Sequence, residues 1–537
     1  MSIRPASVSW LATALAVTAA CSGEPTPPTA AAAEPAIADP AAPEAIARRT
    51  TFSPCAEDPE LECGQLAVPV DYAHPRGPTL TLATVRARAT GPRRGIVFVN
   101  PGGPGGSGVD FVIFAKELFA PLRAQFDVVS FDPRGTARSQ RMDCTVALPP
   151  PPADPGLPAG AAFLDEVSAR YLAACRAQHG DAVLQLGTDN VARDLDAFRA
   201  ALGERDVNYV GFSYGTALGT AYATLFPERV RAMVLDGNVT PGWFSDYLVE
   251  LDADGSAGAE LALRRLDQRC AADPACPLAS AGVVATFDRV VDRLNRAPVA
   301  LGDGVLTGAA VAAALFGALY NEPLGWPAFV RVLALADAGN YTPFTPFASG
   351  PPSDTITFPS TFAIVCDDSG TRRPALDYLP TQTNNNAIYP RFGGVNFGLG
   401  TTACARWPER PVAPVRTLRT ANPIVLIGND YDPATPMAWT RNLAAALGPK
   451  AHLVRYQGGG HTVFTGDSAC INDAILGYLA DPSDAPTHLT CPAVPLVFAP
   501  PAARAAQAAP SLRANATDSV ADILAHGRPR TPPVRRR

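Results

Sequence analysis

The run Val207-Asn208-Tyr209-Val210-Gly211-Phe212-Ser213-Tyr214-Gly215-Thr216-Ala217-Leu218 decides how the whole chain is read. Val207 to Val210 make a short apolar strand, and Leu218-Gly219-Thr220-Ala221-Tyr222-Ala223 continues as a helix. Between them stands Gly-x-Ser-x-Gly. In a strand–turn–helix setting this spacing is a nucleophile elbow, a strained turn that exposes the serine hydroxyl. Side chains at Gly211 or Gly215 would crowd that turn. The helix that follows aims its N-terminus at the site, which favours negative charge developing there. A plain Gly/Ser turn closing a βα unit would show the same five residues, so the weight falls on what the rest of the chain supplies.

Upstream, Gly95-Ile96-Val97-Phe98-Val99 is a continuous apolar run, the pattern of a strand buried on both faces. It opens into Asn100-Pro101-Gly102-Gly103-Pro104-Gly105-Gly106-Ser107-Gly108. So many glycines cost conformational entropy unless backbone must approach something closely. A phosphate-binding P-loop would end in Lys-Ser/Thr, which is absent. The expectation is an oxyanion hole, with the Gly103 amide joining that of Tyr214. A helix is predicted from Val109 to Phe119 and a strand from Phe126 to Phe131, closed by Asp132-Pro133-Arg134-Gly135. Asp132 and Arg134 are expected to form a structural ion pair that shapes this loop. Helical sequence spans Ala161 to Arg176 and Val191 to Phe198, and a buried strand covers Val230 to Gly237.

Strand and helix alternate up to that point, which implies a mostly parallel central sheet with helices on both faces. From Asn238 to Thr417 the sequence turns mostly helical and is read as an inserted cap. The sheet resumes at Pro423-Ile424-Val425-Leu426-Ile427-Gly428, whose C-terminal end supplies Asp430 and Asp432. Then come the strand His452 to Tyr456, Gly458-Gly459-Gly460-His461, and a last helix from Ser468 to Leu479. Ser213, Asp432 and His461 therefore each lie just beyond a predicted strand, where residues distant in sequence meet in one crevice. In the expected chemistry His461 relays the Ser213 proton to the leaving group while Asp432 orients the imidazole. Asp432 is preferred to Asp430 for its place in Asp-Pro-x-Thr-Pro.

The 537 residues are 47% hydrophobic and 18% charged, enough apolar sequence for a large core. A net charge of −6 argues against a nucleic-acid partner. The apolar run Val8 to Ala20 after Arg4 is too short for a folded membrane span, and Cys21-Ser22-Gly23 follows it. This pattern resembles a bacterial lipoprotein signal with lipidation at Cys21, although Thr18 stands where leucine is usual. A secretory signal cleaved after Ala19 or Ala20 is the alternative. Either way the chain is expected to be exported, meeting the membrane only through a lipid at Cys21. Ten further cysteines then read as disulfides. Pairing sequence neighbours gives Cys55–Cys63, Cys144–Cys175, Cys270–Cys276, Cys366–Cys404 and Cys470–Cys491, though spacing alone does not fix connectivity. No Cys-x-x-Cys pair supports a zinc site, and no metal, nucleotide or other cofactor is implied.

Together Asn100-Pro101-Gly102-Gly103-Pro104-Gly105, Phe131-Asp132-Pro133-Arg134-Gly135, Gly211-Phe212-Ser213-Tyr214-Gly215-Thr216, Leu235-Asp236-Gly237 and Asp432-Pro433-Ala434-Thr435-Pro436 carry a family resemblance. They resemble the secreted tripeptidyl aminopeptidase branch of the prolyl iminopeptidase-like serine peptidases. The Cys470 to Cys491 segment looks like that family's C-terminal region. Ala137 departs from the glycine often found there. The resemblance implies an α/β-hydrolase fold and the triad order Ser213, Asp432, His461. It implies removal of short peptides or single residues from free N-termini, while relatives in the branch act as carboxylesterases. An aminopeptidase needs a cap anion for the substrate ammonium. Glu250, Asp252, Glu322 and Asp368 are the candidates, with Asp368 preferred for its closeness to Cys366. The resulting organisation is a signal over 1–21, a tether over 22–50, hydrolase core over 51–237, cap over 238–417, core again over 418–499, and a disordered tail over 500–537.

Overall fold

The chain is described by a computed structural model over residues 50–150, 157–244, 251–350, 353–370, 372–393, 403–409, 415 and 417–499, and every count below refers to these. The expected signal segment with Cys21, the expected tether up to residue 49, Glu250 and the expected tail from residue 500 lie outside the described residues. One sheet dominates. Its strands are β1 (Phe52–Pro54), β2 (Glu62–Pro69), β3 (Thr79–Ala87), β4 (Ile96–Asn100), β5 (Asp127–Phe131), β7 (Val207–Phe212), β8 (Val230–Asp236), β12 (Ile424–Tyr431), β13 (Ala451–Gly459) and β14 (Thr490–Cys491). They lie in the order β1-β2-β3-β5-β4-β7-β8-β12-β13-β14. The first three run antiparallel, and from β5 onward every neighbouring pair is parallel.

The apolar runs explain this architecture. In β4, Ile96 and Phe98 enter the core on one face of the sheet while Val97 and Val99 enter the other. In β12, Ile424 and Leu426 divide from Val425 and Ile427 in the same way. Strands buried on both faces need helices on both, and the alternating sequence supplies them. These are α1 (Gly108–Phe114), α2 (Leu157–His179), α3 (Thr188–Ala201) and α4 (Gly215–Leu225). The helix expected to reach Phe119 ends at Phe114, because the chain turns at Ala115. That turn buries Phe119 edge-on against Phe111.

Between β8 and β12 the chain first builds a helical lobe: α5 (Ser256–Ala271), α6 (Val283–Arg296), α7 (Gly308–Leu319) and α8 (Gly325–Asp337). The lobe has its own core. Val283, Phe287, Val290 and Leu294 of α6 recur at helical spacing and pack with Leu263, Leu315, Trp326 and Leu333. A small hairpin, β9 (Val299–Leu301) and β10 (Gly304–Leu306), joins α6 to α7. The rest of the insertion behaves differently. β11 (Thr355–Phe358) pairs with β6 (Cys144–Ala147) from the first half of the chain. α9 (Ser360–Asp368) and α10 (Ala375–Ile388) follow, and Phe358, Ile364 and Cys404 join the main core. α11 (Met437–Leu447) and α12 (Ala469–Ala480) complete the domain.

Five disulfides join Cys55 to Cys63, Cys144 to Cys175, Cys270 to Cys276, Cys366 to Cys404 and Cys470 to Cys491. The expected Asp132–Arg134 pair does not form. Arg134 instead binds Asp194 of α3, at 2.6 and 2.7 Å. Asp132 accepts from Ser107 Oγ at 2.5 Å and from the amides of Val109 and Arg138 at 3.0 Å. Both side chains shape the loop, but each through a partner from another element. No described helix is long and apolar enough to cross a membrane.

Candidate active site

The order of strands around β4 reverses, with β5 on one side and β7 on the other, and a crevice opens at such a switch point. Two loops meet there. Ser213 occupies the turn from β7 into α4 with φ +57°, a left-handed conformation that non-glycine residues rarely adopt. Its amide donates to the Asp236 carbonyl at 2.9 Å. The glycines permit the turn: a Cβ on Gly211 would overlap the Gly215 carbonyl, and one on Gly102 would stand 2.9 Å from the Tyr214 amide nitrogen. The Gly102–Gly103 backbone, at φ +90° and +114°, therefore lies directly against the serine turn. Gly103, Ser213 and Tyr214 line one cavity of about 170 Å³.

Asp432 and His461 follow β12 and β13. Both Asp432 carboxylate oxygens stand 3.0 Å from His461 Nδ1. The Ala434 and Thr435 amides and the Thr435 hydroxyl also donate to that carboxylate, at 2.8 to 2.9 Å. The carboxylate is fixed and buried, so it selects the tautomer with the proton on Nδ1. His461 Nε2 is buried without a hydrogen-bond partner among the described residues, leaving it free to accept a proton. Burial by itself would lower the imidazole pKa. The charge and hydrogen bond of Asp432, with the charge of Asp236, outweigh burial and raise it above its ordinary value. Asp430 is turned away onto Arg455, at 2.7 and 2.8 Å.

The helical lobe props the histidine. His461 donates its amide to the Tyr320 carbonyl at 2.7 Å, and the Tyr320 ring meets the imidazole edge-on at 4.8 Å. Glu322, buried, accepts the Gly459 amide. The walls of the Ser213 cavity are aromatic: Trp243, Phe316, Tyr320 and Trp439. Asp368 is placed behind this wall. It accepts from the Thr188 amide and hydroxyl at 2.7 and 2.5 Å and from the Trp243 indole at 2.8 Å. Thr188 in turn holds the Tyr214 hydroxyl at 2.5 Å. Asp368 thus supports the cavity and is not among its lining residues.

Two acidic residues near the site received no role from the sequence, although one of them, Asp236, stands in the quoted Leu235-Asp236-Gly237. Asp254 lies in the wide helical turn Leu251–Gly255, next to the lining residue Gly255, and accepts the indole N–H of the lining residue Trp439 at 3.1 Å. No periodicity or motif marks it. Asp236 ends β8, and its Oδ2 accepts the Val463 and Phe464 amides at 2.8 and 2.7 Å, anchoring the chain just after His461. Its position at a strand end, on the edge that carries Asp432, was the available signal.

Burial pushes the Asp236 carboxyl up to about 7, against the opposing pull of the two amides and His461. A group with a raised acid pKa holds its proton in the folded state while the unfolded state has lost it. Between pH 4 and 7 its contribution to stability therefore falls as pH rises. Asp236→Asn keeps an acceptor for both amides. The melting temperature of this variant relative to wild type is expected to climb across that window in thermal melts. A difference independent of pH refutes the assignment.

A family model described as alpha/beta hydrolase fold matches residues 95–327, and one described as TAP-like protein matches residues 391–491. Serine protease Hip1 of Mycobacterium tuberculosis is 32% identical over 491 residues, covering 82% of this chain and 90% of its own. Tripeptidyl aminopeptidase of Streptomyces coelicolor is 30% identical, covering 80% of this chain and 83% of its own. Carboxylesterase B of M. tuberculosis is 32% identical, with 80% and 86% covered. Fold and site thus define a serine hydrolase of the α/β-hydrolase class. Within that class, the chain belongs to the TAP-like serine peptidase branch.

Proposed function

We propose that the chain is an exported serine aminopeptidase that releases short peptides or single residues from free N-termini. Ser213 attacks the scissile carbonyl, His461 Nε2 takes its proton and Asp432 holds the imidazole and stabilises its charged form. The amides of Gly103 and Tyr214 stabilise the oxyanion. The observation that carries the aminopeptidase reading is Asp254, a carboxylate set at the wall of the Ser213 cavity through Trp439. Like Asp368, Asp254 stands behind an indole that lines the cavity and is not itself a lining residue, but it is half-buried where Asp368 is enclosed, and in this reading it draws the substrate ammonium to the aromatic enclosure. Among the earlier candidates, Glu250 and the Asp252 side chain lie outside the described residues, Glu322 lines another cavity, and Asp368 supports the wall. The five disulfides support an oxidising compartment, and export with lipidation at Cys21 accords with that.

Asp254→Asn is expected to lower the ratio of kcat/KM for free-amine over N-acetylated substrates at least tenfold, in line with the ~1.5–3 kcal/mol of a charged hydrogen bond. An unchanged ratio removes Asp254 from the role. The reading as a whole is tested with Ala-Ala-Pro-, Ala- and Pro-naphthylamides, their N-acetylated forms and a p-nitrophenyl ester. Cleavage of free-amine amides that acetylation abolishes establishes an aminopeptidase. Turnover of the ester alone establishes the second reading, a carboxylesterase. That reading has its own support in the apolar aromatic walls and in the likeness to Carboxylesterase B.

A further inference from the structure

Ser213 and His461 line two different cavities. The cavity of about 170 Å³ contains Ser213, Gly103 and Tyr214, but His461 does not line it. A second cavity, about 470 Å³, is lined by His461 and the segment Thr462 to Ser468, together with Tyr320 to Leu324. Tyr320 is the residue common to both linings. The site is therefore divided at the tyrosine that carries the histidine amide.

The chemistry of acyl transfer assigns the two sides. Ser213 Oγ bonds to the scissile carbon and its proton passes to His461 Nε2. When the tetrahedral intermediate collapses, the C–N bond breaks and the departing nitrogen takes that same proton, leaving as a neutral amine. The departing nitrogen must then lie within hydrogen-bond reach of Nε2, and the peptide beyond it extends along the imidazole side. The acyl part stays with Ser213 and the oxyanion donors.

The lining of the second cavity has a definite character. Leu118 and Leu324 stand at 53% and 48% exposure, an apolar rim. Glu322 is deeply buried inside, its carboxylate held on the Gly459 amide, and Asp467 is exposed at the margin. The lining contains two carboxylates and neither lysine nor arginine. Burial raises the Glu322 carboxyl above its ordinary range, opposed by the Gly459 amide and the charges of Arg269 and Arg265; an apolar rim over this carboxylate suits a side chain with a long aliphatic stem and a cationic head.

We propose that this second cavity is the subsite for the leaving peptide, and that Glu322 makes it select lysine or arginine immediately after the cleaved bond. The proposal rests on the peptidase reading above and deepens it. Glu322 is here a specificity-determining residue, and Asp467 adds a weaker, solvent-screened attraction.

The test uses peptides Ala-Ala-Pro-X-Gly-amide with X as Lys, norleucine or Glu, so that the acyl part never changes. Release of Ala-Ala-Pro is followed by chromatography on the full-length protein. Wild type is expected to favour Lys over Glu by at least tenfold in kcat/KM, with norleucine between them. Glu322→Gln should bring the Lys:Glu ratio to within about threefold of one. Asp467→Lys, a change on an exposed turn that the fold accommodates, should lower the ratio independently, and more so at low salt than at high salt. Peptide cleavage that is indifferent to X, or a Lys:Glu ratio that survives both substitutions, overturns the subsite while leaving the aminopeptidase standing. Ester turnover with no peptide cleaved overturns both.

Discussion

Ser213→Ala is expected to lower kcat by about 10⁴- to 10⁶-fold on every substrate the protein turns over. The loss follows from geometry. The hydroxyl projects from a turn held at φ +57° into a cavity shared with Gly103 and Tyr214. Alanine removes one heavy atom and leaves the hydrogen bond from the backbone amide of residue 213 to the Asp236 carbonyl intact, so the melting curve should stay within about 1 °C of wild type. His461→Ala should cost about as much, and the double variant little more than either single one, because the two groups act as one unit. Steady-state rates on the naphthylamide and ester panel check this. Activity retained by Ser213→Ala on any substrate would place that reaction outside the triad.

The largest effect on stability is expected from Arg134→Met. Arg134 is wholly buried and uses all five of its N–H donors. Two go to Asp194, and the others to the carbonyls of Val70, Gln185 and Pro69, at 2.8, 3.0 and 3.1 Å. Removing the guanidinium leaves the Asp194 carboxylate buried with the Tyr72 hydroxyl as its remaining hydrogen-bond partner among the described residues. Breaking one side of a buried pair costs about 3–5 kcal/mol, whereas replacing both sides with apolar groups costs much less. Thermal melts at neutral pH should show a fall of about 3–6 °C for Arg134→Met, partly recovered by adding Asp194→Leu. A loss below about 1 °C would mean that the pair contributes nothing to holding α3 against the loop after β5.

What the sequence made legible was local or ordered. The elbow, the glycine loop and the two strand ends carrying Asp432 and His461 are each written in a few consecutive residues, and their order along the chain states which strand ends converge. Disulfides between sequence neighbours are legible for the same reason. Partners that meet only in three dimensions were not. Arg134 lies two residues from Asp132 yet binds Asp194, sixty positions on, because α3 packs over that loop. β6 finds β11 across more than two hundred residues, and nothing in Cys144–Ala147 names its partner. Among the cap carboxylates, proximity to a cysteine pointed to Asp368. Its neighbours Thr188 and Trp243 come from distant segments, and they turn it into a support for the cavity wall. Asp254 sits in a turn of no marked pattern and gains its meaning from Trp439.

The lobe is inserted between β8 and β12, so 248 positions separate Ser213 from His461. At synthesis rates of about 5–20 residues per second, the ribosome makes the serine turn roughly 12–50 s before the histidine that would activate it. Throughout that interval the nascent chain carries a nucleophile without its base. On the proposed roles, hydrolytic capacity arrives only with the last strands of the sheet, when β13 docks beside β12 and Asp432 closes on the imidazole. The order of synthesis by itself, on those roles, keeps each unfinished copy inactive while the chain is being elongated.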